Sequence, residues 1–196
     1  KYVATTPDGQ FVLATNWCSW DLSIVSAETH EPVATVPNLG RYPRGIVVSP
    51  DSRYAYVAVM GESHIAKVDL QSRTIVGTIE VGRGPRHVVL DPEGRYLYAS
   101  LNQLGEVVKV DLTTDQVVAR VPTGAEARSL TISSDGTALY VVNYESNTVT
   151  ALRAADLGVL QTIETGVHPI GITYVVVTGA VCVAIYTGQI LRLSSA

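Results

Sequence analysis

The sequence predicts an all-β chain of repeated four-stranded blades, a β-propeller. Three observations carry that prediction. A strand–turn–strand text returns at a fixed step, in residues 42–58, 85–99 and 127–141, each copy about 42 residues after the last. Every copy joins a short apolar run to a run rich in Tyr, Val or Leu through a polar turn, such as Pro50-Asp51-Ser52 or Asp91-Pro92-Glu93-Gly94. Nowhere is there a long apolar pattern of helical period. Four short strands per step of about 42 residues is the signature of a propeller blade.

The local chemistry justifies each element. Pro presets φ at the turn and the Asp side chain caps the nearby backbone. Val, Ile and Tyr on either side suit a pleated, half-buried surface. Repeat one places strands at 1–6, 11–16, 22–25 and 32–36. Repeat two places them at 45–49, 54–59, 65–70 and 74–81, and repeat three at 87–90, 96–101, 107–112 and 116–121. Repeat four follows at 129–132, 138–143, 148–152 and 159–165. Repeat five has strands at 171–175, 181–186 and 189–193 and lacks a fourth. The expected blades of this single propeller are 1–40, 41–82, 83–124, 125–166 and 167–196. First strands lie between neighbouring blades, so Gly45-Ile46-Val47-Val48, Val88-Val89-Leu90 and Gly171-Ile172 are small and apolar. The alternating Tyr54/Tyr56, Tyr96/Tyr98 and Leu139/Val141 suit a second strand packed between blades.

The formal net charge of −4 over 196 residues gives no overall basic character and disfavours bulk attraction to nucleic acid. The most apolar run, 174–186, is too short to span a bilayer as a helix and is broken by Thr178-Gly179. The chain starts at Lys1 rather than Met, as a processed, trimmed or partial chain would. Cys18 and Cys182 are too few for a disulfide scaffold or a structural zinc site. They are expected as free thiols filling small apolar positions.

Leu13-Ala14-Thr15-Asn16 and Tyr140-Val141-Val142-Asn143 resemble the Tyr-Val-Thr-Asn signature of the YVTN propeller repeats. So do the Gly-x-x-Pro segments Gly82 to Pro85 and Gly166 to Pro169, the Ser-Pro-Asp-Gly-like turn, and Val68-Asp69 and Val110-Asp111 closing third strands. The resemblance implies a propeller that usually closes with seven blades, and an exported, periplasmic or cell-surface location. With nineteen strands legible, the chain is expected to be part of a larger propeller. Open blade edges would favour association with further blades or a second copy. The fourth repeat departs from the pattern with Arg153 for Asp and Ala127 for Pro, and the fifth replaces the polar turn with Val175-Val176-Val177-Thr178-Gly179.

Candidate functional positions come from two sets of loops expected on one face. The residues leading into first strands carry Arg44, Arg86 and Arg128, with Ile170 in the fifth copy. These arginines are expected to form a positive arc at the channel mouth, suited to a carboxylate or phosphate. The competing role is structural, each Arg tying its blade to a neighbour. The loops between second and third strands vary: Asn16, Trp17 and Trp20; Met60, Glu62 and His64; Asn102 and Gln103; Asn143, Tyr144 and Glu145; Tyr186. Variation on a repeated frame is where a scaffold places specificity. His87 and His168 lie near the same loops, at non-equivalent positions and without a carboxylate pair at metal-ligand spacing. His30 is expected at the surface, and Asp69 and Asp111 in turn hydrogen bonds.

No nucleophile elbow, phosphate loop or zinc motif is present, so no metal and no cofactor is expected. These features lead to the expectation of a non-enzymatic scaffold binding a small anionic ligand or a protein at the channel mouth. Two alternatives stand beside it. One is a lactonase-like hydrolase or lyase, which the resemblance implies if His87, Glu62 or His168 converge. The other is nucleic-acid binding through the arginine arc, against which the acidic charge stands.

Overall fold

The computed structural model describes residues 1–194. It contains only strands joined by turns. The first sheet is β1 (Val3–Thr5), β2 (Phe11–Asn16), β3 (Asp21–Ser26) and β4 (Pro32–Val36). The second is β5 (Pro43–Val48), β6 (Tyr54–Val59), β7 (His64–Asp69) and β8 (Thr74–Glu80). The third is β9 (Pro85–Leu90), β10 (Tyr96–Leu101), β11 (Glu106–Asp111) and β12 (Gln116–Pro122). The fourth is β13 (Ala127–Ile132), β14 (Ala138–Asn143), β15 (Thr148–Arg153) and β16 (Val159–Glu164). The fifth holds three strands, β17 (Pro169–Val175), β18 (Ala180–Ile185) and β19 (Ile190–Ser194). Each sheet keeps sequence order, as a meander of antiparallel neighbours does. These are sheets of blade size and topology. Among the described residues, no strand is shared between two sheets.

The chain divides into two compact units, Lys1–Val88 and Val89–Ala196. In the first, Leu13, Leu22, Ile24, Ile46 and Val57 belong to one buried cluster. In the second, Leu130, Leu139 and Leu152 pack with Tyr98, while Val142, Val149, Val181 and Ile185 form a further cluster.

The turn between first and second strands repeats atom by atom. The hydroxyls of Thr6, Ser49 and Ser133 each donate to the Asp two residues on, at 2.5 Å. They accept from the backbone N–H of Phe11, Tyr54 and Ala138 at 3.0, 2.8 and 3.0 Å. Those hydroxyl bonds are the main reason that Asp8, Asp51 and Asp135 titrate below the usual carboxylate range. In the third sheet Asp91 takes the hydroxyl's place and accepts from the Tyr96 N–H at 2.7 Å. Asp69 and Asp111 end third strands in turn hydrogen bonds as expected, accepting from Gln71, Ser72 and Thr113 N–H groups at 2.9 Å. His30 is exposed, and Cys18 and Cys182 are free thiols, but Cys18 is exposed and does not fill the apolar position expected of it. In the fifth sheet a turn forms at 176–179, with the Thr178 N–H bonded to the Val175 carbonyl and Gly179 at φ 63°. Val177 at its tip is 95% exposed, and nothing in the structure explains the apolar choice.

One expectation about positions is corrected. Arg44, Arg86 and Arg128 do not stand in loops but inside β5, β9 and β13. In β5, β13 and β17 the register shifts at that position. A bulge there re-aims side chains that a regular strand would point elsewhere.

Candidate active site

The residue before each of these strands is held in the left-handed region: Tyr42, Gly84, Glu126 and His168 have φ of 61°, 70°, 54° and 59°. In three of the sheets its carbonyl accepts the N–H of the loop between second and third strands. Met60 N–H bonds Tyr42 O, Tyr144 N–H bonds Glu126 O, and Tyr186 N–H bonds His168 O, at 3.0, 3.1 and 3.0 Å. The two sets of loops singled out in the sequence therefore meet at the same end of each sheet. His168 occupies the slot held by Tyr42 and Glu126 elsewhere.

In the unit from Val89 onward this arrangement gathers a chemical set. The Tyr144 ring stacks on the His168 imidazole with centroids 4.2 Å apart. The Arg128 guanidinium lies over the Tyr144 ring, 3.3 Å from its centroid, and is 19% exposed. Its Nη2 donates to Glu126 Oε2 at 2.8 Å. His168 Nε2 lies 3.8 Å from Glu145 Oε1, and both side chains are partly open to solvent, at 36% and 51%. The His168 backbone N–H donates to Asn147 Oδ1 at 2.8 Å, which pins the loop. Beside this set, Asn102, Gln103, Gly105, Gly124 and Glu126 line a cavity of about 610 Å³. Imidazole, carboxylate and guanidinium on one shelf can move a proton and hold developing negative charge. Glu145 as partner of His168 was not foreseen. They are 23 residues apart in sequence, on loops of two different sheets, and no linear spacing points to their meeting.

In the unit Lys1–Val88 a second set forms. Trp17 stacks on Tyr42 with centroids 4.7 Å apart. The Arg44 guanidinium lies 5.6 Å from the Trp17 ring and 5.9 Å from the Tyr2 ring, and Tyr2 meets His87 at 5.2 Å. Desolvation, then the charges of Arg86 and Arg44, lowers the His87 imidazole to about 4, so it is neutral at physiological pH. The Nε atoms of Arg44, Arg86 and Arg128 are all shielded from solvent.

Other expected positions have local partners. Asn143 is fully buried, and its amide donates to Thr148 and Thr150 at 3.0 and 2.9 Å. Asn102 is buried with its amide 3.4 Å from the Ala127 carbonyl, and His64 Nε2 lies 3.3 Å from the Leu39 carbonyl. Glu62 pairs with Arg41 at 3.1 Å. Trp20 and Tyr186 are exposed. Among the described residues, no group of three or more His, Cys, Asp or Glu is gathered as for a metal ion.

The comparisons with known proteins bear on this geometry. A family model described as "Cytochrome D1 heme domain" matches residues 87–187, just over half of the chain. The chain belongs to the cytochrome D1 heme domain family. A second model, "Lactonase, 7-bladed beta-propeller", matches residues 44–116. Among solved structures, Kuenenia stuttgartiensis Hydrazine Synthase is similar with a TM-score of 0.65 and 19% identity, over 99% of this chain and 83% of that one. That likeness shows the fold. No curated protein matches the chain. The matches support a propeller superfamily of repeated four-stranded blades, a coarser statement than the YVTN repeat. They overturn the expectation of a non-enzymatic scaffold, because the matching models are of a heme domain and a lactonase.

Proposed function

We propose that the chain forms part of a propeller enzyme, a hydrolase or lyase, whose reacting groups stand at the loop end of the fourth and fifth sheets. The observation that carries this reading is the meeting of His168, Glu145 and Arg128 around Tyr144. A lactone fits the set. His168 takes a proton from water, with Glu145 beside it to hold the ring and stabilise its charged form. The water oxygen attacks the lactone carbonyl. Arg128 faces the oxygen that becomes negative, and the ring opens as His168 returns the proton to the leaving alkoxide. The lactonase match supports the substrate class.

The test is a panel of lactones with the wild-type protein and with His168→Asn, Glu145→Gln and Arg128→Met. The expected loss on His168→Asn is about 100-fold in kcat, the usual scale for a lost acid–base group. Lactone turnover unchanged in His168→Asn, or absent in the wild type, overturns the reading.

A second reading rests on the unit Lys1–Val88 and on the name of the family. A heme carries carboxylates and an iron that takes a neutral imidazole. His87, neutral at physiological pH, beside Arg44 and Arg86 fits that donor set. His87 would offer the imidazole, and Arg44 and Arg86 the carboxylate contacts. The group itself would supply electron transfer at iron. Heme titration followed by the Soret band, with His87→Ala as comparison, tests this reading; a spectrum identical in both proteins rejects it. The chain as part of a seven-bladed ring, and its export, belong to the same proposal, and cell fractionation tests the second.

A further inference from the structure

At the opposite end of the sheets from the His168 loops, a groove of about 510 Å³ runs beside the turns after β9, β13 and β15. Its walls include Asp91, Glu93, Tyr96, Tyr98, Lys109 and Ala155. Departures from the repeat collect here. Asp91 stands where the first, second and fourth repeats have Ser or Thr, Glu93 where the same three have Asp, and the lining Arg153 where two have Asp.

Lys109 is the unusual member. It sits on β11 beside the point where the register against β12 shifts, the extra residue lying on β12. It is only 6% exposed, although lysine is almost never buried without a charged partner. Among the described residues, no carboxylate lies within ion-pair distance of it. Instead Nζ donates to the carbonyls of Ala154 and Ala155 at 3.1 and 2.8 Å, and the Tyr96 ring lies 3.9 Å away. A neutral primary amine has two N–H bonds and one lone pair. In the neutral form the two carbonyls satisfy both N–H bonds and leave the lone pair; in the ammonium form the charge lies against the Tyr96 ring. Desolvation pushes the ammonium below the usual lysine range, with Asp91 opposing.

We infer that Lys109 is a carbonyl-trapping amine, and that the groove takes a small apolar or aromatic aldehyde or ketone as an imine. In the step, one proton passes from the Lys109 ammonium through solvent in the groove to Asp91, which lines the same groove. The freed Nζ lone pair forms the C–N bond to the carbonyl carbon, and one amine proton passes to the carbonyl oxygen, giving a carbinolamine. Asp91 returns its proton to the carbinolamine hydroxyl, the C–O bond breaks, and water leaves. The product is a protonated imine and one water, with no oxidant or reductant consumed. Tyr96, Tyr98 and Pro92 supply the apolar walls, and the carboxylates of Asp91 and Glu93 disfavour an anionic ligand.

The chain has three lysines, Lys1, Lys67 and Lys109, so the test has built-in comparators. Lys67 holds the same repeat position, opposite Tyr56 as Lys109 is opposite Tyr98. Wild-type protein is treated with benzaldehyde and cyanoborohydride at neutral pH, and benzylation is mapped by peptide mass spectrometry. Lys109 should label at least about fivefold faster than Lys67, as a desolvated amine with more of its neutral form would. Asp91→Asn, which keeps an oxygen for the Tyr96 N–H, should slow Lys109 labelling about fivefold and leave Lys67 and the circular dichroism unchanged. Labelling of Lys109 no faster than Lys67, or only in denaturant, overturns the inference. So does an Asp91→Asn protein that labels like wild type.

Discussion

His87 makes a pH argument at the scale of one side chain. Its imidazole is lowered from 6.5 to about 4, first by desolvation and then by Arg86 and Arg44. Between those values the unfolded chain takes up a proton that the folded chain refuses. Stability attributable to this residue is therefore present above pH 6.5 and lost as pH falls toward about 4. Urea midpoints across that window should fall with pH in the wild type and fall less in His87→Phe. The turn aspartates act lower: Asp8, Asp51 and Asp135 are depressed, so their contribution is lost only as pH drops through their folded values. Side chains of this kind were partly legible in the sequence. The repeat step singled out Arg44, Arg86 and Arg128, but not that all three Nε atoms are shielded from solvent. His168 was picked out without Glu145, because a pair made by two loops has no linear spacing to read.

Between elements, the binding devices are small and recurrent. Thr15 on β2 donates its hydroxyl to the Arg44 carbonyl on β5 at 2.8 Å. Ser100 on β10 does the same to the Arg128 carbonyl on β13, and Ser129 on β13 to the Ile170 carbonyl on β17 at 2.9 Å. A hydroxyl on one sheet thus holds the Arg-bearing strand, or its equivalent, of the next. Thr15→Val should cost about 1–2 kcal/mol in denaturant unfolding, because a buried carbonyl and the Tyr2 N–H both lose a partner. Gly45 shows how closely first strands approach. A Cβ added there would stand 2.7 Å from the His87 Cα and 2.8 Å from the Arg86 carbonyl oxygen. Gly45→Ala should destabilise by about 1–3 kcal/mol, since backbone, not a flexible tip, must yield. Strand positions were legible because period and turn chemistry agree. The cross-sheet hydroxyls were not, because Thr15, Ala58, Ser100 and Val142 share one position and only two of them can donate.

At the largest scale, the five sheets of the described residues and the strands in each could be read in advance, down to three strands in the last. Function could not, because blade text describes packing and is shared by propellers of many activities. Stability should be uneven along the chain. β14 is buried at every residue, while β19 alternates exposed and half-buried positions and pairs on one side only. Hydrogen exchange should be slowest in β14 and fastest in β19, by at least about 100-fold in protection. Equal protection in the two would show that the chain opens as one cooperative body.

The left-handed residue ahead of the first strand in the second to fifth sheets is an interchangeable socket. Its backbone is already bent for a tight approach, and the sequence has filled it with Tyr42, Gly84, Glu126 and His168 without altering the carbonyl bond that Tyr42, Glu126 and His168 share. The conformational toll of about 1 kcal/mol for a side chain there is thus settled by the frame rather than by the residue. A designer can therefore rewrite the reactivity of this face one sheet at a time, placing histidine at 42 or 126, while the sheets beneath stay as they are.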